Sequence, residues 1–130
     1  MKTLTLKPVE LSSLDAIKKT VFGILGETVF ARKVMLACDE VLANIVNYSK
    51  ATKLTFSCGK KDSCFSVIFS DDGSPFDPTV EKAPEKDFDM LDTGGMGLKL
   101  IRHTVSEMTY ERKDDLNELT LRFDFDAADS

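Results

Sequence analysis

The chain has 130 residues, 42% of them hydrophobic and 30% charged, which is enough for one packed core, too short for two, and unlike a disordered chain. Lys and Arg number 17 against 22 Asp and Glu, a net charge of −5, the wrong sign for neutralising a phosphate backbone, so direct nucleic-acid binding is disfavoured. No apolar run approaches the roughly 20 residues that span a bilayer and no signal-peptide core is present, so one domain over residues 1–130, cytoplasmic and without a membrane role, is expected.

Residues Lys2 to Lys7 alternate as a strand does and are stopped by Pro8. Ser12 or Ser13 can then cap a helix that carries Leu14, Ile17, Val21, Phe22 and Leu25 at helical spacing. Gly26 ends it, Thr28 offers a new cap, and a second helix is expected from about Val29 to Tyr48. Leu54 to Cys58 and Cys64 to Ser70 read as a hairpin about the turn Gly59-Lys60-Lys61-Asp62. From Phe76 to Thr93 the chain is acidic and aperiodic, the character of a lid or binding loop. Gly94-Gly95-Met96-Gly97 then opens a helix with Leu98, Ile101, Val105 and Met108 on one side, followed by strands from Thr109 to Lys113 and Leu119 to Phe125 and a polar tail. The order β-α-α-β-β-loop-α-β-β predicts an α+β fold, a two-layer sandwich with the helices on one face of a sheet.

Three cysteines, Cys38, Cys58 and Cys64, form no C-x-x-C pair and one histidine, His103, is distant from them, so neither a zinc site nor a disulfide framework is expected. On the second helix Val34, Cys38, Val41, Leu42 and Ile45 share one half at 100° per residue, while Glu40, Asn44 and Asn47 form a stripe opposite. That stripe is either a solvated face or one turned to a ligand. Two mid-helix asparagines bring the second reading level with the first, because Asn is a poor helix former and a surface face favours Lys, Glu or Gln. Asp71-Asp72-Gly73-Ser74-Pro75 follows a strand, where one carboxylate can be fixed and Gly73 can let the backbone approach a flat ligand; alone, it reads better as a simple turn. The triple glycine before a helix suits phosphate, through exposed amides and the helix N-terminus, or serves as a hinge. It is not a P-loop, since no Gly-Lys-Ser/Thr follows, nor a dinucleotide fingerprint, since Leu100 holds the third glycine position.

In order and spacing these segments resemble the histidine-kinase-like ATPase superfamily that includes gyrase, MutL and sensor kinases. Glu40-Val41-Leu42-Ala43-Asn44 is similar to its N box, Asp71 to Pro78 to its first glycine box, and Gly94-Gly95-Met96-Gly97-Leu98 to its second. The short length, the Pro-Phe-Asp-Pro run and the Asn-x-Leu-Thr-Leu ending resemble bacterial anti-sigma-factor serine/threonine kinases. The resemblance implies a Bergerat-type ATP-binding fold with a mixed sheet, and ATP and Mg2+ as cofactors. It further implies Glu40 as catalytic base, Asn44 as magnesium ligand and Asp71 as acceptor for the adenine amino group. Gly73 would be beside adenine, Gly95 and Gly97 around the phosphates, and Thr120 near the base, with Asn47, Met96 and Leu98 completing the nucleotide set. Many relatives carry His four positions after the magnesium Asn, where this chain has Tyr48. No phosphoacceptor histidine domain precedes the ATP motifs, so a complete sensor kinase is not expected, and His103 reads as structural. The implied partners are an antagonist protein that accepts phosphate on Ser or Thr, a sigma factor or other regulator, and a second copy in a homodimer. The competing expectations are an ATP-dependent sequestering module without transfer, and a scaffold that binds no nucleotide.

Overall fold

A computed structural model describes residues 1–79 and 104–125. Strand β1 (Lys2–Leu6) leads through a single 3-10 turn into helix α1 (Leu14–Leu25), and helix α2 (Val29–Asn44) follows. Ser13 does take part in the start of α1, though as the partner of a capping box begun at Glu10, whose backbone N–H donates to the Ser13 hydroxyl at 3.2 Å. Gly26 ends α1 at φ 72°, a conformation open to glycine, and its N–H closes on the Phe22 carbonyl at 2.8 Å. Thr28 caps α2 as expected, its hydroxyl accepting from Ala31 N–H at 3.0 Å. After Asn44 the helix widens into a π turn over Ile45–Ser49 and stops at left-handed Lys50, φ 53°.

Strands β2 (Leu54–Lys61), β3 (Cys64–Asp71), β4 (Glu107–Lys113) and β5 (Leu116–Asp124) complete a five-stranded sheet in the order β1-β2-β3-β5-β4. All four pairings are antiparallel, which corrects the expected mixed sheet. Two pairs are tight hairpins, which can only be antiparallel. Between β1 and β2 the chain passes through two helices rather than one, so it re-enters the sheet reversed, whereas a parallel pair needs a single crossover. The β2–β3 turn is Asp62-Ser63 alone, with Asp62 at φ 54°, so Gly59 to Lys61 lie inside the ladder rather than in the turn. Asp114 and Asp115, both at positive φ, turn β4 into β5, the conformation a two-residue hairpin requires.

The helix expected to reach Met108 ends by Thr104, and Met108 instead pairs with Leu121 in β4. An alternation that puts Met108 and Tyr110 inward and Thr109 outward outweighed a helical spacing that shared the same residues. The loop beyond residue 79, the glycines 94, 95 and 97 with Met96 and Leu98, His103 and the tail from 126 lie outside the described residues.

The core lies between the helices and one sheet face. Phe56, Phe65, Phe69, Leu121 and Phe123 of the sheet meet Ile17, Val21, Phe30, Val34, Cys38 and Leu42 of the helices, all at most 1% exposed. Burying each such side chain contributes about 1.5–3 kcal/mol. Cys38 and Cys58 are buried free thiols, the Cys38 thiol pushed far up by burial and Cys58 up to about 11, so both behave as small apolar groups.

Candidate functional site

Along β3, Phe65, Val67 and Phe69 face the helices, and the same alternation turns Asp71 inward, where it is 3% exposed. Asp72 therefore points outward. Its carboxylate accepts from Thr52 N–H at 2.8 Å, the Thr52 hydroxyl at 2.6 Å and Lys53 N–H at 3.0 Å, and these bonds hold it below the usual carboxylate range. It ties the entry of β2 to the end of β3. Asp72→Ala is expected to lower stability by about 1 kcal/mol at neutral pH. A depressed folded-state pKa stabilises above the unfolded value and loses its effect as pH falls through the folded one, so variant and wild type should converge in acid, as urea titrations at several pH values would measure.

The Asp71 Oδ1 accepts from Gly73 N–H at 2.9 Å and from Asn117 Nδ2 at 3.0 Å. Asn117 stands directly opposite Asp71 in the β3–β5 register and is likewise 3% exposed. Burial nonetheless wins at Asp71: it pushes the carboxyl up from its ordinary value, against the lowering from the Asn117 and Gly73 bonds.

Gly73 has a structural reason to be glycine. A Cβ there would lie 2.3 Å from the Ser49 carbonyl oxygen, and Ser74 N–H donates to that same oxygen at 2.8 Å. The turn after β3 is thus pressed backbone to backbone against the π turn after α2, and Tyr48 stacks on Phe76 across the seam at 5.0 Å.

Of the α2 stripe, Asn44 is the buried member. It is 6% exposed, and its Nδ2 is buried without a hydrogen-bond partner. Its amide borders a cavity of about 20 Å³, space for a single water, whose other polar walls are Ser49, Asp71, Asn117 and Tyr110 and which Phe76 and Pro78 also line. A buried amide group left without a partner costs roughly 1–3 kcal/mol. Glu40, one helical turn before Asn44, is half-buried, and burial first and Asp39 second raise its carboxyl above the ordinary value. Asn47 is exposed. A larger groove, about 520 Å³, lies along α1 and α2 beside Lys18, Phe22, Arg32 and Leu36, away from these groups.

Thr120 does not join them. It pairs with Ile68 and Thr109 on the sheet face turned away from the helices, whereas Asn117, Leu119, Leu121 and Phe123 face inward. The residue of β5 beside Asp71 is Asn117, three positions earlier. The signal was present in the alternation of Leu119, Leu121 and Phe123, which in phase assigns Asn117 to the buried face. Tyr110, whose hydroxyl donates to Asn117 Oδ1, was also missed.

A buried carboxylate thus ends a central strand, and a buried amide lies on the facing helix. The family model of the histidine kinase-like ATPase domain matches residues 13–123. The chain belongs to that family. Among relatives, the serine/threonine-protein kinase BtrW of Bordetella bronchiseptica is 34% identical over 94 residues, 66% of this chain and 65% of that kinase, so the match spans less than two thirds of the relative's length. The solved structure of the RsbU and RsbW domains of Rv1364c from Mycobacterium tuberculosis superposes with a TM-score of 0.63 at 13% identity, over 95% of this chain and 32% of that one. The histidine kinase AdeS of Acinetobacter baumannii gives a TM-score of 0.54 at 14% identity, over 97% and 68%. At such identities the structures speak for the fold: two helices on an antiparallel sheet, as in histidine kinase-like ATPase domains. No helix among the described residues is long and apolar enough to cross a membrane.

Proposed function

We propose that the chain is an ATP-dependent serine/threonine protein kinase of the anti-sigma-factor type, a single cytoplasmic domain over residues 1–130. It would transfer the γ-phosphate to a hydroxyl of a small antagonist protein and, as a homodimer, hold a sigma factor or similar regulator until that antagonist competes for it. Family membership and the kinase relative support this reading. The observation that carries it is the convergence of Asn44 and Asp71 on one cavity, with Glu40 one turn away.

In this reading Asp71 accepts from the adenine amino group, and Gly73 and Asn47 border the nucleotide. Gly95, Met96, Gly97 and Leu98 are assigned to the phosphates from the sequence motif. The buried Asn44 Nδ2, a donor without a partner, fits an acceptor such as a phosphate oxygen, while its carboxamide oxygen is the atom that would hold a hard cation, Mg2+ bound to a nucleotide taking few protein ligands. When bound, Mg2+ would neutralise charge building on the phosphates. Glu40 takes the proton of the acceptor hydroxyl, and its raised pKa brings it nearer the working pH, where a base is most effective.

The test is thermal. ATP with magnesium at 100-fold excess over Kd should stabilise the wild type by about 2.7 kcal/mol. Asn44→Ala should abolish the magnesium-dependent part of the shift. An unchanged magnesium response in that variant would remove Asn44 from the site. A wild type that binds ATP and a regulator yet phosphorylates no partner would instead be a sequestering module.

A further inference from the structure

We infer that Asn117 and Tyr110 form a positioning relay that fixes Asp71 in the one orientation able to read a purine 6-amino group. The inference rests on the proposed ATP site and concerns its base selectivity. Tyr110 on β4, Asn117 on β5 and Asp71 on β3 lie on three neighbouring strands, all facing the helices.

Partner chemistry fixes how the Asn117 amide sits. Phe76 N–H, which can only donate, points at one end of it from 3.4 Å, and the Tyr110 hydroxyl donates to the same atom, so that end is the oxygen. The Ser74 carbonyl, which can only accept, lies 2.8 Å from the other end, which is therefore the amine, and the amine also donates to Asp71 Oδ1 at 3.0 Å. With Gly73 N–H on the same Oδ1 at 2.9 Å, that oxygen carries two donors. Among the described residues no hydrogen bond reaches Oδ2. The carboxylate is thus clamped through one oxygen while the other stays an acceptor, the complement of an exocyclic amine and a poor match for a carbonyl. Neither Asn117 nor Tyr110 needs to touch the base; both act through Asp71.

Affinities for ATP, purine riboside triphosphate (no 6-substituent) and inosine triphosphate (6-oxo) test this on the full chain. The wild type should prefer ATP. Asn117→Leu keeps roughly the volume and removes the donor, where an Asp would share a proton with Asp71 and donate in its place. Its preference for ATP over purine riboside triphosphate should fall by about 10-fold, the worth of a charge-assisted hydrogen bond, while affinity for purine riboside triphosphate is retained. Tyr110→Phe, at a half-buried position on an edge strand, should reduce the same ratio about 3-fold and carries the test if Asn117→Leu does not fold. A merely structural role would weaken the three nucleotides alike. Equal weakening, or an unchanged ratio in Tyr110→Phe, overturns the relay while leaving the ATP site standing. A wild type that binds no ATP overturns both.

Discussion

Glu40→Gln is expected to leave ATP affinity unchanged and to lower phosphate transfer roughly 10²- to 10⁴-fold, the usual contribution of general base catalysis. Glutamine keeps the size and hydrogen-bonding reach of the side chain, and a base acts on the acceptor hydroxyl in the transition state rather than on bound nucleotide. Burial and the neighbouring Asp39 raise the Glu40 carboxyl above its ordinary value of 4.5. The acid limb of the wild-type rate should accordingly lie above the usual glutamate range and vanish in the variant. Asp39→Asn removes the smaller of the two causes and should move that limb towards lower pH. The measurement is initial transfer rate against pH with the antagonist as acceptor, and wild-type transfer by Glu40→Gln would take the base assignment away.

Asp71→Asn should separate stability from binding. Gly73 N–H and Asn117 Nδ2 both require an acceptor at Oδ1, so the new side chain places its oxygen there and turns its amine into the pocket. A donor then meets the adenine donor. ATP should weaken roughly 10- to 10²-fold through loss of the charge-assisted bond, and inosine triphosphate, which presents a carbonyl, should gain on it. Stability should move the other way. Burial raises the Asp71 pKa, and a raised folded-state carboxyl pKa stabilises below the unfolded value and loses that effect as pH rises through the folded one. At neutral pH the ionised Asp71 therefore costs stability, so Asp71→Asn should melt higher than wild type without nucleotide, and the gain should disappear in acid. Thermal melts at pH 4 and pH 7, with and without ATP, read both effects; a lower apo melting temperature at pH 7 would contradict the burial argument.

Features with local causes are legible in the order of residues. Gly26 and Thr28 mark the break between the helices because one supplies a left-handed residue and the other a cap. Glu40 and Asn44 share a helix face because four residues make about one turn. Period-two alternation through Phe65, Val67 and Phe69 already implies that Asp71, rather than Asp72, faces inward. The same rule, run in phase from Leu119, Leu121 and Phe123, places Asn117 on the buried face, a signal that the match of Thr120 to a family motif hid.

Which of these groups meet depends on how the strands are ordered and how the helices dock. Asp71 and Asn117 are 46 residues apart and become neighbours only because β5 inserts between β3 and β4. The demand for glycine at 73 comes from the Ser49 carbonyl, a contact set by how the end of α2 docks on the sheet. Asn44 reads from sequence as part of a polar stripe, yet it is buried with its amine unpaired, because the turn after β3 covers that side of the helix. Local sterics and periodicity fix elements and faces residue by residue, whereas the partners of a buried polar group depend on strand order and docking, which no segment specifies on its own.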